Sequence, residues 1–87
     1  MKKNNQSKKI VIDVRRPDEY TKGHAEASIN IPLQEMEQRL DEIKKITRPV
    51  VVVCGGGSRN VKAFELLKKH GIESEAGGGW KDIGKTD

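Results

Sequence analysis

The sequence predicts a small α/β domain, a parallel β-sheet flanked by helices on both faces, on three observations. Short β-branched apolar runs alternate with segments of helical period. The strongest run, Val50–Val53, shows no polar alternation. Two glycine triplets, at 55–57 and 77–79, each follow a predicted strand. An unbroken apolar strand is expected in the middle of a parallel sheet covered on both faces. Alternation of strand and helix is the grammar of that class. With 87 residues, 33% of them hydrophobic, the chain has material for one core only.

Taken in order, Ile10-Val11-Ile12-Asp13-Val14 reads as a short buried strand. Arg15 to Tyr20 then turns, with Pro17 placed to start a short helix, and Gly23-His24 interrupts it. Ile29-Asn30-Ile31 is a second, very short strand, stopped by Pro32. Leu33, Met36, Leu40, Ile43 and Ile46 recur at spacings of three and four, the apolar stripe of a helix. Glu35–Arg39 and Asp41–Lys45 support its wet side at i,i+4. After Arg48-Pro49 comes the Val50–Val53 strand. A helix from about Arg59 to His70 should turn Val61, Phe64 and Leu67 inward, with Gly71 closing it. Ile72 to Ala76 reads as a last strand, and Trp80 to Ile83 as one helical turn.

Composition narrows the function. The net charge of +4 comes from Lys2, Lys3, Lys8 and Lys9, in a nine-residue stretch without an acid; the rest balances 13 basic against 13 acidic residues. The basic character therefore belongs to a tail, residues 1–9, read as a frayed and solvated terminus ahead of one domain spanning residues 10–87. Nucleic-acid binding loses its main support. The longest apolar run, Val50–Cys54, is far below the roughly 20 residues of a membrane helix, so no membrane partner is expected. The tail lacks the apolar stretch of a signal peptide, which makes the cytoplasm the default compartment, or the periplasm if an upstream signal was removed. One cysteine and two distant histidines make no recognisable metal site, and no cofactor is implied.

The chemistry concentrates in Val53-Cys54-Gly55-Gly56-Gly57-Ser58-Arg59-Asn60. A thiol ends the central strand, three glycines let the backbone fold back over it, and a helix begins at once. Such a loop can point successive N–H groups inward as an anion nest, reinforced by the positive end of the helix. Cys54 held there should ionise below the free-cysteine value of about 8.5, and the thiolate is the nucleophile. Arg59 can add a fork of donors for an anionic substrate. The blander alternative is a structural glycine turn with an inert cysteine. A dinucleotide-binding loop fits less well, because the G-x-G-x-x-G spacing is absent.

The motifs Ile12-Asp13-Val14-Arg15, Glu19-Tyr20, Gly23-His24, Ile29-Asn30-Ile31-Pro32-Leu33 and Cys54-x-x-Gly57-x-Arg59 stand in the order and spacing of a rhodanese domain. The likeness runs from about Ile10 to Ile83 and is strongest to the small single-domain phage-shock-protein-E type, whose end resembles Ala76-Gly77-Gly78-Gly79-Trp80-Lys81-Asp82-Ile83. The resemblance implies a rhodanese-like fold and a thiosulfate sulfurtransferase. In such an enzyme the cysteine takes sulfane sulfur from a donor, becomes a persulfide, and passes the sulfur to cyanide or a thiol. Carried over by position, Cys54 is the catalytic nucleophile, and Gly55, Gly56, Gly57, Ser58 and Arg59 form the substrate-binding loop. The implied partners are a small-molecule donor and a thiol or cyanide acceptor, for a monomer. The chain departs from the pattern at Ala25, Ala27 and Asn60. Its loop also lacks the basic residue that many thiosulfate users carry between cysteine and arginine, which leaves polysulfide or a protein persulfide open as donor.

Two other function classes stand beside sulfur transfer. A cysteine phosphatase or arsenate reductase would use a related loop, but of pattern Cys-x5-Arg; here the spacing is Cys-x4-Arg, and Asn60 stands where that arginine would be. A non-catalytic recognition module would tolerate loss of Cys54. Among the remaining polar residues, Asp13 reads as a buried anchor for the loops and His24 as a structural hydrogen-bonder. Trp80 reads as core or as the edge of the pocket.

Overall fold

The structure, a computed structural model, describes residues 9–85. The basic tail expected at residues 1–9 lies outside them except for Lys9, whose ammonium meets the Glu75 carboxylate at 3.0 Å. Four strands form one sheet: β1 (Ile10–Asp13), β2 (Ile29–Asn30), β3 (Val50–Cys54) and β4 (Glu75–Gly79). Their order is β2-β1-β3-β4, and every neighbouring pair is parallel. Three α-helices join them: α1 (Pro17–Thr21), α2 (Leu40–Lys44) and α3 (Arg59–Lys69). Two 3₁₀ segments, Leu33–Arg39 and Trp80–Lys85, complete the fold. Among the described residues no helix is long and apolar enough to cross a membrane.

Every residue of β3 is buried, as its lack of alternation predicts. Val50, Val52 and Cys54 pack with Ile12, Val14, Met36, Ile43, Ala63 and Leu67 in one cluster, which seats α2, α3 and the first 3₁₀ segment on that face. Val51 and Val53 point the other way and are equally buried. Asp13 also faces that side, and through Arg15 it reaches α1, at the Glu19 carbonyl, and Trp80. Burying a valine side chain contributes about 1.5–3 kcal/mol, so β3 is the strand on which the fold is built.

Three local expectations are corrected. The stripe beginning at Leu33 starts as a 3₁₀ helix and becomes α-helical only from Leu40. Leu33 and Met36 are three apart, the period of the tighter helix, and Met36 is fully buried. Val61 is 43% exposed; Asn60, Ala63 and Leu67 make the buried face of α3 instead. The last strand begins at Glu75, later than the apolar residues suggest. Ile72 is committed to the end of α3: its N–H bonds to the Leu67 carbonyl at 2.8 Å and that of Gly71 to the Lys68 carbonyl at 3.0 Å. That 6→1 and 5→2 pair is the Schellman closure expected of Gly71, and it delays the strand. Pairing with buried β3 then overrides the poor strand propensity of the glycines in β4.

Candidate active site

In a parallel sheet the C-terminal strand ends lie on one side, where ligands of such folds bind. Asp13, Asn30, Cys54 and Gly79 occupy those ends. Cys54 has no exposed surface, whereas Gly55, Gly56, Gly57 and Ser58 arch over it in contact with solvent. Gly56 adopts φ +119°, a conformation closed to side-chain-bearing residues without strain, and this lets the chain reverse over the sulfur. Ser58 precedes α3, and its carbonyl accepts from Val61 and Lys62 N–H. The side chain of Ser58 makes no capping bond. Of the sequence-predicted loop residues, Gly56 and Gly57 lie against the sulfur.

Asn60, which sequence reasoning treated only as a departure from pattern, binds the loop together. Its Nδ2 donates to Cys54 Sγ at 3.1 Å and to the Gly57 carbonyl at 3.0 Å. Its Oδ1 accepts from Gly78 N–H at 3.1 Å. That N–H is free for Asn60 because β4 bulges: Val52 pairs with Ala76 but Cys54 with Gly79, leaving one extra residue on β4. Gly78, at φ +79°, is the residue that makes the bulge. The second glycine run thus anchors the first. The position of Asn60, on the first turn of the helix after the cysteine loop, was the available signal.

The thiol sits between opposed influences. Burial pushes it up, the largest single effect. The Gly56 amide, the Asn60 carboxamide and the amides of Asn60 and Gly57 stabilise the thiolate and together outweigh burial, holding Cys54 below its ordinary value. In its protonated form the thiol points at the Gly57 carbonyl, 3.5 Å away.

Arg59 is beside the loop, but its donors are engaged. Nη1 bonds to Glu19 Oε1 at 2.8 Å and Nη2 to Oε2 at 3.2 Å, a fork on a carboxylate. Glu19 Oε1 also accepts from Arg16 N–H at 3.0 Å. The Arg59 guanidinium, followed by the Arg16 amide, brings the Glu19 carboxyl down to about 2. Glu19 was visible in sequence only as part of a motif; its partner forty positions away was not.

Asp13 is the anchor its burial implied. Arg15 grips both of its carboxylate oxygens at 2.8–3.1 Å, and Nη2 continues to the Gly23 carbonyl at 2.7 Å. The Arg15 guanidinium carbon stands 4.9 Å from the centre of the Trp80 ring. Trp80 is half-buried and edges a cleft with Arg15, Glu19, Lys22, Gly23 and Lys81. His24 donates from Nδ1 to the Tyr20 carbonyl at 2.7 Å and stacks on the Tyr20 ring, the structural role expected of it. Asp18 is committed to Arg16 at 3.1 Å.

Residues 1–85 match the rhodanese-like domain family. Escherichia coli thiosulfate sulfurtransferase PspE is 38% identical over 74 residues, which cover 83% of this chain and 71% of that protein. Bacillus subtilis YqhL is 39% identical over 61 residues, 70% of this chain and 48% of its own. The chain thus spans about half the length of YqhL, and only 34% of the Bacillus subtilis putative sulfur carrier YrkF. Among solved structures, an Escherichia coli rhodanese with anions superposes with a TM-score of 0.77 at 36% identity, covering 87% of this chain and 92% of that one.

Proposed function

The chain belongs to the rhodanese-like family, and from that premise we propose that it is a sulfurtransferase working through a Cys54 persulfide. The observation that carries the reading is the ring of N–H donors from Gly56, Gly57 and Asn60 converging on Sγ. Sulfur transfer asks for a thiolate that serves as nucleophile in one step and as leaving group in the next. A preorganised donor ring stabilises the anion in both.

In the first step the Cys54 thiolate attacks the outer sulfur of the donor. A new S–S bond forms at Cys54, the donor's S–S bond breaks, and its electron pair leaves with sulfite or a thiolate. In the second step cyanide or a thiolate attacks the terminal sulfur, and the bonding pair returns to Cys54. Gly56 and Gly57 have no atoms within 4 Å of where a side chain would start, so the loop has room to yield above the buried sulfur. A phosphatase reading is weaker. The loop is one residue short of Cys-x5-Arg, and the fork of Arg59 faces Glu19 rather than an open oxyanion site.

Intact mass after incubation with thiosulfate or an organic persulfide tests the reading. The mass should rise by one sulfur atom and return to its starting value on adding cyanide, and Cys54→Ser should show no adduct. Sulfur loading that survives in the serine variant, or phosphate release from aryl phosphates without thiocyanate formation, would overturn it.

A further inference from the structure

Nothing in sulfur transfer requires Glu19, yet its carboxylate takes both terminal nitrogens of Arg59, the cation nearest the nucleophile loop. The pair is held on the other side as well, because Arg16 N–H fixes Oε1 at the start of α1. An incoming dianion needs that same fork. Thiosulfate brings a sulfonate whose oxygens must be met by donors, and here they must first displace a carboxylate already in place. An organic hydropersulfide, R–S–SH, has no such requirement. A cleft beside Glu19, walled by Trp80 and Gly23 and flanked by Lys22 and Lys81, offers its organic body a place.

We propose that Glu19 is a specificity-determining residue of the sulfur-loading step, selecting organic hydropersulfides over thiosulfate by occupying the Arg59 fork. The inference rests on the sulfurtransferase reading. With the hydropersulfide, Cys54–S⁻ bonds to the terminal sulfur and the old S–S bond breaks. The pair leaves on R–S, which takes up the hydropersulfide proton as R–SH, and Cys54 is left as the persulfide anion. With thiosulfate the same bond forms and the pair leaves as sulfite, a second dianion at the mouth of the site.

The test is single-turnover loading of Cys54, followed by intact mass, with thiosulfate and with glutathione persulfide as the two probes. Glu19→Gln keeps an acceptor for Arg16 N–H but removes the charge. It should speed thiosulfate loading about five- to tenfold, the scale of a charge-assisted hydrogen bond partly screened by water. Persulfide loading should change by less than about twofold, the screened remainder. If Glu19→Gln does not accumulate as folded protein, Glu19→Asp gives the same readout, since its shorter arm loosens the fork. In an Arg59→Ala background the gain from Glu19→Gln should vanish, because no fork is left to release. An unchanged donor ratio, or a gain that persists without Arg59, would overturn the inference while leaving sulfur transfer intact. Failure of both donors to load the wild-type protein would instead sink the reading beneath it.

Discussion

Two arginine–carboxylate pairs lie at the same end of the sheet, and they differ in burial. Arg15 and Asp13 are both buried, and the guanidinium is used on every side: Asp13 in front, the Glu19 and Gly23 carbonyls behind, Trp80 against its face. Arg59 and Glu19 form a similar fork, but their side chains are 36% and 28% exposed. Water decides what each pair is for. A buried pair cannot be broken without stranding a charge, so it fixes the geometry of the loops. A half-exposed pair exchanges with solvent and ions at little cost, so it can be opened by a ligand.

The largest effect should come from breaking the buried pair. Asp13→Ala leaves Arg15 without its counter-charge and should lower stability by about 3–5 kcal/mol. A domain of this size has roughly 4–13 kcal/mol in total. Urea unfolding followed by circular dichroism would measure the loss; a change below about 1 kcal/mol would mean that water reaches the pair.

Asn60 separates burial from charge. It is neutral, yet as buried as the first pair, and it satisfies Gly57, Gly78 and Cys54 at once. If burial is what makes a polar group structural, Asn60→Ala should cost about 1–3 kcal/mol by leaving Gly78 N–H unpaired. The same variant removes a donor from the thiolate, so its alkylation rate should inflect at higher pH than in the wild type. Loss of stability without that upward movement would place the sulfur's stabilisation wholly in the backbone.

The contrast between the pairs also explains what was legible in the sequence. Asp13 and Arg15 are two residues apart, on a strand whose apolar neighbours announce burial, and the anchor could be read directly. Cys54, its glycines and Arg59 are contiguous, so the loop and its nucleophile were legible too. Glu19–Arg59 and Asn60–Gly78 join positions far apart in the chain, and no local pattern encodes such meetings. The β4 bulge was hidden for a related reason. Glycines carry no periodicity, and the strand's start depends on how α3 ends. Val61 misled because a three-residue spacing fits two neighbouring helix faces, and only packing against β3 chooses between them.

The smallest effect in stability should be at the exposed pair, and there pH is the sharper probe. Arg59→Met should change the unfolding free energy at neutral pH by no more than about 1 kcal/mol, since the pair is screened by water. Glu19 titrates at about 2 in the folded protein, against an ordinary value of 4.5. A depressed carboxyl stabilises the fold above its unfolded value and loses that contribution as pH falls through the folded one. The increment from Glu19 should therefore be complete above about pH 5 and decline between about pH 4.5 and 2. In Arg59→Met the carboxyl should return toward its ordinary value, held down still by the amide and charge of Arg16, and this acid-range decline should shrink. The carboxyl-carbon shift of Glu19, followed by NMR across that range in both proteins, reads the pair directly. A Glu19 titration that does not move when Arg59 is removed would mean that α1, rather than the arginine, holds the charge, and the two pairs would then differ in more than their exposure to water.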